Sequence, residues 1–219
     1  MPELSGGRTF CCTYRMMTDG APAYVNCKVT RLEEEPDGNY IVIGISDVDE
    51  QMRRERELPH VREQANRDTM TGVKSKLAYV DAVAELNTEI DMGRAKPFGV
   101  VVCDVNDLKA VNDGQGRQAG DRLILEASRL ICTVFQHSPV YRVGGDEFVV
   151  ILRGQDYEQR MALMTMMRMH NQRHRAGGGV VIACGSSEWR EGQDNRYEAV
   201  FDRADTDMYA NKSALKRKR

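Results

Sequence analysis

Residues Arg142 to Phe148 read RVGGDEF, a glycine pair followed at once by two carboxylates. Asp146 and Glu147, adjacent acids on a rigid element, bind anions poorly but suit hard divalent cations that arrive carrying phosphates. The flanking runs Val140–Val143 and Phe148–Leu152 are strand-like, so Gly144-Gly145 is expected to turn a tight hairpin with φ > 0. Without a Cβ, those glycines also let another molecule approach the backbone. A third acid, Asp104, ends the continuous apolar run Phe98–Cys103, which reads as a fully buried strand. Strand ends hold chemical groups rigidly while leaving them within reach of solvent. If the two strands are neighbours, Asp104, Asp146 and Glu147 converge. Mg²⁺ then fits best, with oxygen ligands from a few carboxylates and the remaining positions filled by phosphate and water. No His lies near Asp104 in sequence, and Cys103 belongs to the apolar run, so nothing there suggests zinc.

The stretch after Asp104, VNDLKAVNDGQGRQAGD, is dense in short polar groups and glycine. Asn112 and Asp121 offer an amide and a carboxylate that together match a guanine edge. Each also has a plain structural reading: Asn112-Asp113-Gly114 is a good turn, and Asp121 near a helix start is a candidate cap. Further on, Lys212 and Lys216 stand one helical turn apart and are able to reach phosphates, although lysines at that spacing commonly serve only solvation.

The elements that must hold these groups are legible as periodicities. Ser75–Gly93 is amphipathic, with Leu77, Val80, Val83, Ala84, Leu86 and Ile90 near helical spacing. Leu123–Phe135, Tyr157–His170 and Tyr197–Ser213 read as helices, and Val180–Cys184 reads as a buried strand. In order this is β-α-β-β-α-β with helical additions, an α+β arrangement predicting an antiparallel-containing sheet with helices on one face. The Met-rich helix (Met161, Met164, Met166, Met167, Met169) is expected to fill core.

The chain has 219 residues and a net charge of −2, so no broad basic surface argues for nucleic acid or anionic membrane. No apolar stretch is long enough to insert in a membrane, and the N-terminus lacks the pattern of a secretory signal. A cytoplasmic location is expected. The six cysteines (Cys11, Cys12, Cys27, Cys103, Cys132, Cys184) show no paired spacing and read as buried, reduced thiols, with a zinc site as the alternative.

Ahead of the acid-bearing region lie three strand-like runs, Thr9–Met16, Tyr24–Leu32 and Tyr40–Ser46, separated by turn clusters. Three strands make a small core, and they read as the last part of something longer. The segment Tyr14–Asp49 resembles the C-terminal strands of a PAS sensory domain, with Asp47-Val48-Asp49 where that family couples its last strand to a departing helix. Asp49–Asn66 is charged and helix-favouring, either a solvated linker or a signalling lever, with Pro59 expected to end or kink it. The resulting partition is a partial PAS domain over 1–48, a helical signalling linker over 49–66 and a second domain over 67–219.

That second domain resembles the GGDEF domain of diguanylate cyclases. Four blocks match in order: DTMTGVKSK (Asp68–Lys76), CDVNDLKAVNDGQGRQAGD (Cys103–Asp121), RVGGDEFVVIL (Arg142–Leu152) and ADTDMYANK (Ala204–Lys212). The resemblance implies a palm-like, ferredoxin-like βαββαβ nucleotidyl cyclase fold. It also implies condensation of two GTP into cyclic di-GMP and two pyrophosphates, with two Mg²⁺ (or Mn²⁺) per active site. By that resemblance Asp104, the Val105 carbonyl, Asp146 and Glu147 hold metal, and Asp146 or Glu147 assists deprotonation of the ribose 3′-OH. Gly144 and Gly145 lie against ribose and α-phosphate, Asn112 and Asp121 read guanine, and Lys212 and Lys216 meet the terminal phosphates.

One domain offers one nucleotide site, so catalysis needs a homodimer, driven by an upstream sensory region. The chain departs from the family at Arg117, where His is usual in the nucleotide-contacting loop, and at Asn106 and Leu108, where Asp and Phe are common. The family's inhibitory RxxD is replaced by Phe135-Gln136-His137-Ser138, which predicts no product inhibition there. Two other readings stand beside the cyclase: a GGDEF module that binds GTP or a protein partner without turnover, and a cyclase making another product from GTP.

Overall fold

In this computed structural model residues 9–18, 21–34, 38–52, 63–174 and 179–217 are described. The chain divides into two compact units, residues 1–63 and 64–219. In the first, β1 (Thr9–Thr18), β2 (Ala21–Glu34) and β3 (Gly38–Asp47) form an antiparallel sheet in that order. Each strand contains and extends one of the expected runs. The register aligns Phe10 with Val29 and Ile43, and Cys12 with Cys27 and Ile45, so one face is apolar. Asp47-Val48-Asp49 fastens the end of this sheet. Asp47 Oδ1 accepts from the Asp49 amide at 2.8 Å, and Asp49 Oδ1 accepts from the Tyr24 amide at 3.1 Å. The expected linker is helical at 49–52 and 63–65, and the residues between, Pro59 among them, lie outside the described residues.

The second unit opens with α1 (Lys76–Asp91), capped by the Ser75 hydroxyl, which accepts from the Ala78 amide. Then come β4 (Gly99–Val105), α2 (Leu108–Gln115), α3 (Arg117–Val134), β5 (Val140–Arg142) and β6 (Glu147–Leu152). The chain closes with α4 (Gly154–Glu158), α5 (Arg160–His174), β7 (Ile182–Glu188) and α6 (Tyr197–Arg217). The strands order β5-β6-β4-β7 and every pairing is antiparallel, the arrangement the βαββαβ sequence order requires.

Helices cover both faces of this sheet, not one as expected. Val101, Cys103 and Val105 pack with Ile124, Ile131, Leu163 and Met167 of α3 and α5. Phe98, Val100 and Val102 pack with Leu86, Tyr197, Val200 and Ala204 of α1 and α6. The reason lies in β4 itself, a strand apolar at successive positions that must be covered on both sides.

Three smaller expectations change. The Asn112-Asp113-Gly114 stretch is helical rather than a turn, the Tyr157–His170 run divides at Gln159, and only part of each apolar set is buried. Met164 and Met167 fill core while Met161, Met166 and Met169 are exposed, as are Leu77 and Val80 of α1.

Contacts at the two edges of the sheet fix the framework around the acids. On the edge strand β7, the amides of Ile182, Cys184 and Ser186 face away from β4 and are taken by the side chains of Asn171, Asn211 and Asp207. The edge is therefore sealed by polar side chains. Helix α6 approaches so closely that a Cβ at Gly185 would meet the backbone of Ala204 and Met208. At the other edge, the Lys74 amide donates to the Val140 carbonyl and the Arg142 amide to the Lys74 carbonyl, both at 2.9 Å. The Arg142 guanidinium reaches Asp68 Oδ1 at 3.1 Å and the Gly145 carbonyl at 2.7 Å. Burial raises the Asp68 pKa, but hydrogen bonds from Thr71 and Arg142 outweigh it and hold the carboxyl below its ordinary value.

Gly185→Ala is expected to destabilise the domain by about 3 kcal/mol in urea unfolding, because the clash is with backbone; a loss under about 0.5 kcal/mol would refute it. Asp68→Asn should cost about 1–2 kcal/mol at neutral pH. A lowered pKa confers stability above the unfolded value and loses it as pH falls through the folded one. The gap between parent and Asp68→Asn should therefore close below about pH 4.

Candidate active site

Strand β4 carries apolar side chains until Asp104, which is 5% exposed and stands opposite Glu147 on one side and Ala183 on the other. The next amide, Val105, donates to the Asp146 carbonyl at 3.0 Å, so the end of β4 and the start of β6 are tied backbone to backbone. The Val105 side chain is buried in the core, leaving only its main chain for the site. Asp104 Oδ2 accepts a 2.6 Å hydrogen bond from Lys212 Nζ of α6. Its other oxygen, Oδ1, is buried with no hydrogen-bond partner. Burial pushes the Asp104 pKa above its ordinary value, Lys212 opposes this, the charge of Asp146 adds to the rise and Lys216 pulls the other way.

Asn106, a departure from the family pattern, is 7% exposed, and its Oδ1 is also buried without a partner. Two orphaned oxygen acceptors at one strand end fit a hard divalent cation, which takes oxygen donors. The donor set therefore suits such an ion. The three expected acids nevertheless do not form one cluster: among the described residues no group of three His, Cys, Asp or Glu is gathered to hold a metal. Asp104 is drawn to Lys212, and Glu147 folds back over its own hairpin, with Oε2 2.8 Å from where a Cβ on Gly144 would stand.

That contact revises the role of the glycine pair. Neither Gly144 nor Gly145 adopts positive φ, so the hairpin does not need their conformational freedom. Gly144 leaves room for the Glu147 carboxylate, and Gly145 has open space around its Cα. The same use of space governs the polar stretch after β4. Helices α2 and α3 meet at Gly116 (φ 84°), and the Asn112 side chain lies where a Cβ on Gly120 would be. Asn112 is thereby brought beside the turn of α3 that carries exposed Asp121. Asp121 is not a cap, because Gly116 occupies that position and Arg117 is the first helical residue. Asp107, between β4 and α2, takes a left-handed conformation at φ 64°, a strained geometry for a residue with a Cβ.

Other residues emerge only in three dimensions. Cys103 and Cys184 are register partners with Sγ atoms 3.4 Å apart, a pairing hidden by a sequence separation of 81. All six cysteines are free, but only these two are buried, while Cys11 and Cys132 are exposed. At the position of the missing inhibitory motif, Phe135 is buried and His137 is held by Asp156 through its amide and ring.

Comparison with known proteins places the chain in a family. The family described as "Diguanylate cyclase, GGDEF domain" matches residues 65–218. The chain is 29% identical over 184 residues to the probable diguanylate cyclase DgcE of Escherichia coli, covering 81% of this chain and 16% of that protein. It is 24% identical over 205 residues to the diguanylate cyclase DgcM, covering 91% of this chain and 49% of the relative. It is 32% identical over 113 residues to the E. coli cyclic di-GMP phosphodiesterase PdeR, covering 51% and 16%. The chain thus spans half or less of each of these three relatives.

Among solved structures, the coiled coil and GGDEF domain of DgcB from Caulobacter crescentus, in complex with c-di-GMP, aligns at TM-score 0.61 and 23% identity over 75% of this chain and 90% of that one. The FimX GGDEF domain of Pseudomonas aeruginosa aligns at 0.58 and 16%, over 68% and 94%. These show the fold, and the family match across residues 65–218 shows more: the chain belongs to the diguanylate cyclase GGDEF domain family.

Proposed function

We propose that this chain is a diguanylate cyclase, condensing two GTP into cyclic di-GMP with release of two pyrophosphates across a two-fold dimer. The observation that carries the reading is the buried Asp104 carboxylate, one oxygen orphaned and the other held by Lys212, at the strand end tied to the Gly-Gly-Asp-Glu hairpin. Asp104, the Val105 carbonyl, Asp146 and Glu147 would hold Mg²⁺ (or Mn²⁺), two per site. Bound there, the metal would lower the pKa of the attacking hydroxyl and offset charge on the α-phosphate. Glu147 or Asp146 takes the 3′-OH proton as the 3′-oxygen bonds to the α-phosphorus of the opposing nucleotide and pyrophosphate leaves. A second identical step closes the ring. Gly144 and Gly145 admit ribose and α-phosphate to the backbone. Asn112 and Asp121, neighbours through Gly120, read guanine. Arg117 donates to phosphate or ribose, and Lys212 and Lys216 receive the terminal phosphates. Each domain presents one nucleotide, so the dimer is required.

The N-terminal unit, with its apolar sheet face and its Asp47–Asp49 fastening, supports a partial PAS domain over 1–48. A signalling linker over 49–66 would then carry input from an upstream sensory region to the cyclase domain over 67–219. No helix among the described residues is long and apolar enough to cross a membrane, and a cytoplasmic site of action fits a GTP-consuming enzyme.

A second reading, a module that binds GTP or a partner without turnover, is favoured by the acids not being gathered into one cluster and by Arg117. Dimeric protein incubated with GTP and Mg²⁺ is expected to yield cyclic di-GMP and pyrophosphate in a 1:2 ratio by chromatography. Asp146→Asn should lower the rate at least ~10²-fold with an unchanged circular dichroism spectrum. Calorimetric GTP binding without turnover would select the second reading, and a near-normal rate in Asp146→Asn would sink the metal assignment.

A further inference from the structure

We infer that Lys212 is a counter-ion shared between two partners: it neutralises Asp104 in the nucleotide-free protein and transfers to the terminal phosphates as the nucleotide enters. Cation and triphosphate therefore load together. The inference rests on the reading of Asp104 as a cation ligand given above.

The two ends of the ion pair are unequal. Asp104 is 7% exposed at its side chain and is fixed by ladders on both sides, to Glu147 and to Ala183. Its backbone is held in the sheet, and a buried carboxylate is strongly disfavoured without compensation. Lys212 is 27% exposed and sits on a flexible four-carbon stem. Its helix is anchored one residue earlier, where Asn211 Oδ1 accepts from the Cys184 amide at 3.1 Å, and again where Asp207 accepts from the Ser186 amide at 3.0 Å. Only the lysine side chain is free to swing.

With Nζ 2.6 Å from Oδ2, a divalent cation approaching Asp104 meets an ammonium already on the same carboxylate. Like charges at that range repel strongly in a site shielded from water. The ammonium leaves only for another anion, and the incoming triphosphate supplies one. Lys216, one turn further along α6 and close enough for its charge to act on Asp104, marks where that anion would lie. The pair thus disfavours a bare cation and favours the cation–nucleotide complex, a positive coupling between two ligands through one side chain.

The test is Mn²⁺ binding to the full chain without nucleotide, followed by electron paramagnetic resonance of the free ion. Lys212→Met should bind Mn²⁺ at least tenfold more tightly than the parent, while its affinity for a non-hydrolysable GTP analogue falls at least tenfold. Lys212→Arg, which keeps the charge, should retain the weak Mn²⁺ binding of the parent, and Lys216→Met should tighten it less than threefold. Equal or weaker Mn²⁺ binding by Lys212→Met overturns the inference. Should Lys212→Met fail to fold, Lys212→Gln carries the same expectation. Asp104→Asn combined with Lys212→Met should abolish the Mn²⁺ site. Retained binding in that double variant would instead show that Asp104 is no ligand, a distinct failure belonging to the functional reading itself.

Discussion

A carboxylate buried at the end of an apolar strand is an electrostatic debt that the rest of the domain is arranged around. Every residue of β4 before Asp104 is buried, so the charge stands at the edge of a low-dielectric layer rather than in water. Moving a charge into such a place is unfavourable unless it is paired and hydrogen-bonded. The pairing comes from α6, the last element of the chain, through Lys212. That helix in turn is held against β7 by Asn211 and Asp207, and its approach depends on the absence of a side chain at Gly185. The position of one ammonium therefore depends on contacts spread over β4, β7 and α6.

Three glycines around the candidate site act by leaving space. At Gly120 the Asn112 side chain fills the position of a Cβ, at Gly144 the Glu147 carboxylate lies beside it, and at Gly185 a helix backbone does. At Gly116, where α2 gives way to α3, a positive φ is what glycine supplies instead. Two of the three close approaches bring polar groups of the candidate site into position. The third brings in the helix that carries the lysines.

The family relationship and the local chemistry meet at the same residues but do different work. The family match spans residues 65–218, and solved GGDEF domains share the scaffold. It does not dictate how this chain's own acids rest. Here Asp104 is occupied by Lys212, and Glu147 is folded toward Gly144. The buried Asp104 carboxylate is thereby compensated within the domain itself. The Asp68–Arg142 contact adds a fixed point on the opposite side of the hairpin, linking its Gly145 carbonyl to the turn that precedes α1.

Much of this was legible in the order of residues. The unbroken apolar run ending at Asp104, the glycine–acid motif between two strand-like runs and the amphipathic spacing of the helices all depend on neighbours within a few positions. Local periodicity records such relationships directly. The α2 helix leaves no such periodicity, because its residues are polar and turn-forming, and no short window reports which helix lies over which side of the sheet.

What remained for the tertiary structure were relationships between distant positions. Asp104 and Lys212 are 108 residues apart, and Cys103 and Cys184 are 81 apart. The amides of an edge strand can be sealed only once a helix has arrived beside it. Sequence by itself determined which side chains carry charge and which strand buries them. The folded chain decided which opposite charge each one meets, because electrostatic compensation depends on separation in space and not on separation along the polymer.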